Sequence, residues 1–150
     1  FNTFGPRRSS RAIIPTIISQ ALTKNEIEIG SLAPLRDLNY VSDTVNGFLC
    51  LAESEFSNGE VFNLSSGQQI SIGELSELIK TLLNIDIPVK IKSERIRPKK
   101  SEVLSLLGDS SYLRENTPWV SEFSLEDGIK KSIYYIKENI NDFKTERYII

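Results

Sequence analysis

The apolar residues of this chain change their spacing again and again, and that alternation constrains the fold more than any other feature. Ile13, Ile14, Ile17, Ile18, Ala21 and Leu22 recur at helical spacing, which predicts a helix over residues 11–24. Pro15 falls in its first turn, where a missing N–H is harmless. Residues 26–29 then alternate and stop at Gly30, as a short strand does. Residues 36–41 form a second extended segment. It ends at Ser42 and Asp43, N-cap chemistry for a helix with Val45, Phe48, Leu49 and Ala52 on one face. Asn58-Gly59 signals a turn, residues 61–64 a strand, and Ser65-Ser66-Gly67 a break. Ser71 and Glu74 have capping-box spacing, with Leu75, Leu78, Ile79 and Leu82 behind them as the buried face. Residues 88–92 read as a strand, and 102–107 and 110–116 as short helical pieces. Ser124 caps the last helix, whose stripe is Leu125, Ile129, Ile133, Ile136 and Ile140. Helices alternating with short strands, without a repeat, predict an α/β or α+β-like fold in one domain over residues 1–150.

Several functions are set aside by what the chain lacks. A net charge of −2 gives no global field for nucleic acid or an anionic membrane. No run of 18 apolar residues exists to cross a bilayer. The single cysteine, Cys50, excludes an internal disulfide, reads as a small core residue and points to a reducing cytoplasm. There is no histidine, so a zinc site would have to be built from carboxylates alone. The eight glycines are scattered, and none forms the G-x-G-x-x-G turn of a dinucleotide site. No tyrosine has a lysine four residues later. The start at Phe1-Asn2, with no methionine anywhere, reads as a cut inside a longer protein.

What remains suits binding. Arg7, Arg8 and Arg11 follow Gly5-Pro6 without an intervening acid, residues 90–100 carry six cations against Glu94, and Arg36 opens an extended segment. A guanidinium fork matches a phosphate through two parallel hydrogen bonds. On charge alone, each cluster reads as a solvated face.

Five segments in register change that reading. Phe1 to Arg7 matches F-N-x-[YF]-G-P-R, Ile13-Ile14-Pro15 matches [LI]-[IM]-P, and Gly30 with Arg36-Asp37 and Val41 matches G-x5-R-D-x-x-x-V. Residues 59–64 match G-E-x-[YF]-N-[IL]. Arg97-Pro98, Asp109, Trp119 and residues 124–128 match a closing R-P…D…GW…SLEEG pattern. Taken together, they resemble the C-terminal part of extended short-chain dehydrogenase/reductases, the NAD-dependent epimerase/dehydratase family. Ser111 stands where relatives usually carry Lys, and Thr117-Pro118-Trp119 replaces the common L-G-W.

The resemblance implies a C-terminal substrate-binding lobe with the Rossmann core largely missing. Its implied ligand is a nucleotide-diphosphate sugar, and NAD is held mainly by the absent N-terminal half. It also implies a cytoplasmic parent enzyme of polysaccharide biosynthesis, expected to be a homodimer, with no nucleic-acid or membrane partner. Asn2 takes the place of the asparagine at the diphosphate or sugar, and the backbone of Ala12 and Ile13 the place beside the diphosphate at a helix start. Ile27 and Ile29 match the strand flanking the base, Arg36 and Arg97 the two diphosphate arginines, and Asn63 a further polar contact. Asn63 as a strand cap and Ile29 as plain core are the alternative readings. Residues 30–40 look closest to nucleotide-sugar 4,6-dehydratases. The alternatives are a 4-epimerase, a decarboxylase, or a binding module without chemistry.

Overall fold

A computed structural model describes residues 1–55, 59–98 and 100–143. Strands β1 (Asn2–Phe4) and β3 (Leu35–Tyr40) pair in parallel, with Asn2 opposite Leu38 and Phe4 opposite Tyr40. The first half of β3 also holds antiparallel β4 (Gln69–Ser71) and parallel β6 (Ser105–Leu106). A separate parallel pair joins β2 (Ile27–Ile29) to β5 (Val89–Ile91). Helices α1 (Ile13–Thr23), α3 (Ile72–Leu83) and α5 (Leu125–Glu138) pack on one another. Helix α2 (Val41–Ala52) follows β3 directly, and the short α4 (Ser111–Asn116) lies before Trp119.

The core forms where the helical stripes meet. Ile14, Ile17 and Ile18 from α1, Leu75 and Ile79 from α3, and Ile129, Ile133 and Ile136 from α5 are all buried in one cluster. β2 adds Ile27 and Ile29 to it, because residues two apart on a strand share a face. The other face of this sheet is ionic: Glu26 pairs with Lys90, and Glu28 with Lys92 at 2.6 Å. The Lys92 hydrogen bond holds the Glu28 carboxyl below its ordinary pKa. Half of the basic run of residues 90–100 is thereby spent on β2, and Lys99 lies outside the described residues.

The first helix occupies Ile13–Thr23, so residues 11, 12 and 24 flank it. Ser42 and Asp43 do not cap α2. Tyr40 is the cap position, and the Asp43 side chain is buried against residues 121–123 instead. The stripe of Val45, Phe48 and Leu49 is exposed, while Asp43 and Gly47 form the buried side of that helix. Gly47 is required there, since a Cβ would lie 2.1 Å from Leu64 Cδ1. Cys50 is half-buried, not core. Residues 61–64 have strand composition but pair with nothing in a ladder, and the Asn58 half of the expected turn lies outside the described residues. Segment 102–107 contains β6 in place of a helix, because its backbone is captured by β3.

The capping box formed as the spacing predicts. Ser71 Oγ accepts from the Glu74 N–H at 3.1 Å, and the Glu74 carboxylate accepts from the Ser71 N–H at 2.9 Å. The Ser71 hydroxyl, then its N–H, hold the Glu74 carboxyl below its ordinary pKa. Ser71→Ala should therefore cost about 1 kcal/mol in urea unfolding. A lowered folded-state pKa stabilises above the unfolded value and loses that contribution as pH falls through the lowered one. The cost of the substitution should accordingly shrink in acid, and a cost unchanged between neutral and strongly acidic pH would rule out the charged cap.

Candidate functional site

Between β1, the start of α1, the end of β2 and the segment after β5 lies a cleft of about 510 Å³. Its near wall begins at a sharp turn. Gly5 has φ of 144°, Arg7 has φ of 65°, and Pro6 stands between them. Only glycine suits the first position, where a Cβ would also meet Val41 Cγ1 at 2.6 Å. The turn brings Arg8 and Arg11 to the cleft. Helix α1 starts there with no side-chain cap, so its first N–H groups carry no competing acceptor from a cap.

The far wall is built from residues distant in sequence. Arg95 donates to the Glu28 carbonyl, and its own carbonyl comes so close to Gly30 that a Cβ would lie 2.4 Å from it. Glycine at 30 is what lets the two segments touch. Arg36 is half-buried and well occupied: Nη1 donates to the carbonyls of Leu35 and Val103 at 2.9 and 2.6 Å, and Nη2 to Glu102 at 2.8 Å. It thus pins the β6 segment to β3. Arg8, Arg11 and Arg97 are exposed and make no side-chain hydrogen bond or ion pair with another described residue.

Beneath this wall sits Asp37, fully buried. One oxygen accepts from Ser66 N at 2.9 Å and Ser66 Oγ at 2.7 Å, the other from Gly67 N at 3.0 Å and Gly108 N at 3.1 Å. A carboxylate without a cation is tolerable in the interior because four donors replace its water. The effect is to lock the loops at 65–67 and 108 to the strand that carries Arg36.

Of the residues singled out in the sequence, Asn2, Ala12, Ile13, Ile29, Arg36 and Arg97 line this one cleft. Ile27 and Asn63 do not. Ile27 is fully buried beneath the strand, and Asn63 is exposed on a segment outside the lining. Sequence reasoning missed Arg95 and Glu102 as lining residues, and named the Arg8 and Arg11 cluster without assigning it to the site. Glu102 had no local signal, being 66 residues from the arginine it pairs with. Among the described residues no group of histidine, cysteine and carboxylate side chains is arranged to hold a metal ion, and no helix is long and apolar enough to cross a membrane.

A family model described as GDP-mannose 4,6 dehydratase matches residues 1–132. UDP-glucuronic acid decarboxylase 1 of Xenopus tropicalis is 31% identical over 99% of the chain and 35% of its own length. The UDP-N-acetyl-alpha-D-glucosaminuronate decarboxylase of Bacillus cytotoxicus is 30% identical over 95% of the chain and 46% of its own length. The chain therefore spans less than half the length of these curated relatives. Among solved structures, RMD from Pseudomonas aeruginosa complexed with NADPH superimposes with a TM-score of 0.84 at 23% identity, over 93% of this chain and 47% of that one. The fold is shared at that distance.

Proposed function

We propose that this chain, which belongs to the GDP-mannose 4,6 dehydratase family of NAD-dependent extended short-chain dehydrogenase/reductases, binds a nucleotide-diphosphate sugar in the arginine-lined cleft. The observation that carries this reading is convergence. Asn2, the uncapped start of α1, Arg36 and Arg97 come from separate stretches of chain and meet on a single cavity large enough for such a ligand. In this reading Arg97 and the α1 amides take the diphosphate, Asn2 contacts the sugar or diphosphate, and Ile29 flanks the base. Arg36 acts chiefly through Glu102 and Val103, holding the wall in place.

The family's redox chemistry belongs to a nicotinamide, which when bound accepts and returns a hydride. None of the eight glycines forms the turn such a cofactor needs, so no hydride step is assigned to these residues. Their part is to bind and orient the sugar. Residues 30–40 resemble 4,6-dehydratases, while the two curated relatives above are decarboxylases by name. All of these share the diphosphate site proposed here.

Calorimetric titration with UDP-, GDP- and dTDP-sugars tests the reading. Arg97→Gln should lose about 1.5–3 kcal/mol of binding, the usual worth of a charge-assisted hydrogen bond. Lys100→Gln should lose much less, since exposed charges away from the ligand contribute little. Equal losses at the two positions would mean a diffuse basic surface, and the site would have to be abandoned.

A further inference from the structure

We propose that the sugar bound in this cleft bears a carboxylate of its own, as a nucleotide-diphosphate uronate does. This rests on the nucleotide-sugar reading above and narrows its substrate class. The cleft is lined by Arg8, Arg11, Arg36, Arg95 and Arg97 and by a single acid, Glu102. Two of these cations are already engaged, Arg36 by Glu102 and two carbonyls, and Arg95 by the Glu28 carbonyl. Glu102 is thereby neutralised by Arg36 and does not repel an incoming anion.

Three guanidinium groups remain without a side-chain partner: Arg8, Arg11 and Arg97. The diphosphate of a nucleotide sugar carries one negative charge on each phosphate. A neutral hexose therefore leaves one of the three cations uncompensated in a cleft that loses its water when the ligand enters. A third anion on the ligand removes that mismatch, and the planar fork of arginine matches a carboxylate as well as it matches a phosphate. Arg97 stands on the far wall with Arg36, whereas Arg8 and Arg11 lie on the loop that leaves β1, the strand carrying Asn2. The surplus charge thus sits at the end of the cleft assigned to the sugar. A carboxylate at C6 occupies the place of the hydroxymethyl group that 4,6-dehydration consumes. The inference accordingly favours the decarboxylase or epimerase alternatives over 4,6-dehydration.

Titration of the purified protein with UDP, UDP-glucose and UDP-glucuronate, and with GDP, GDP-mannose and GDP-mannuronate, is the test. Within the series that binds, the uronate should bind about tenfold more tightly than the hexose, the equivalent of one charge-assisted contact. Raising the salt should narrow that ratio. In the double variant Arg8→Gln/Arg11→Gln the ratio should fall to about one while the nucleoside diphosphate still binds, with circular dichroism confirming the fold. Equal binding of uronate and hexose by the unmodified protein overturns the inference and leaves the diphosphate site standing. A preference that survives the double variant overturns it too, since the loop arginines would not be its source. Failure of every nucleotide and nucleotide sugar to bind sinks the nucleotide-sugar reading itself, and the uronate with it.

Discussion

Asp37→Ala should destabilise the fold by about 3–5 kcal/mol, the range seen when a buried ionic partner is removed from groups arranged around it. The carboxylate is fully buried and is the shared acceptor for Ser66 N, Ser66 Oγ, Gly67 N and Gly108 N. Alanine would leave these donors facing a void, and each unsatisfied buried donor costs about 1–3 kcal/mol. Asp37→Asn should recover only part of the loss. Its amide oxygen replaces one acceptor, but its NH₂ then faces the N–H groups of Gly67 and Gly108, or those of Ser66 in the flipped rotamer. Asp109→Ala is the control: Asp109 bonds only to Ser111 two residues on, and an exposed local bond of that kind carries little. Urea unfolding followed by circular dichroism measures all three. A loss for Asp37→Ala no larger than that for Asp109→Ala would remove Asp37 as the tie between β3 and the two loops. The β3 strand carrying Arg36 should loosen with it, so nucleotide-sugar affinity should fall even at temperatures where the variant stays folded.

Trp119→Ala should cost about 3–5 kcal/mol, the usual penalty for deleting a large buried aromatic side chain. Trp119 is 1% exposed, and its Nε1 donates to the Asp43 carbonyl at 2.8 Å. The Asp43 carboxylate accepts in turn from Ser121 Oγ, Glu122 N and Phe123 N at 2.9 to 3.3 Å. Indole and carboxylate thus clamp the start of α2 to the segment leading into α5. Trp119→Phe keeps most of the apolar volume and removes the donor, so its loss should be smaller, near 1 kcal/mol for the hydrogen bond plus a modest cavity term. Thermal unfolding by circular dichroism reads both, since this is the chain's one tryptophan. Equal losses for the phenylalanine and alanine variants would mean that the hydrogen bond, not packing, dominates the clamp.

The helices α1, α3 and α5 were readable from sequence because what specifies them lies within four residues. The Ile17 and Ile18 stripe, the Ser71–Glu74 box and the Ser124 cap are all local, and each formed as the spacing predicts. β4 and β6 were not readable. They are three and two residues long, too short to show a period, and exist as strands because β3 supplies hydrogen bonds to them. The reverse happened at residues 61–64, which have strand composition and no partner strand.

The candidate site divides along the same line. Residue types and motif order in the sequence were enough to pick out Asn2, the start of α1, Arg36 and Arg97 as belonging together. Tertiary structure alone decided what each of them touches. It put Glu102 on Arg36, sent the Asp43 side chain to residues 121–123 instead of a helix end, buried Ile27 and left Asn63 outside the cleft. It also spent Lys90 and Lys92 on β2 while leaving Arg8 and Arg11 open to the cleft. The physical reason is one of distance along the chain. Spacing within a helical turn encodes helices and caps, but a charge acquires its partner only when folding brings the two together, and for Arg36 and Glu102 those partners start 66 residues apart.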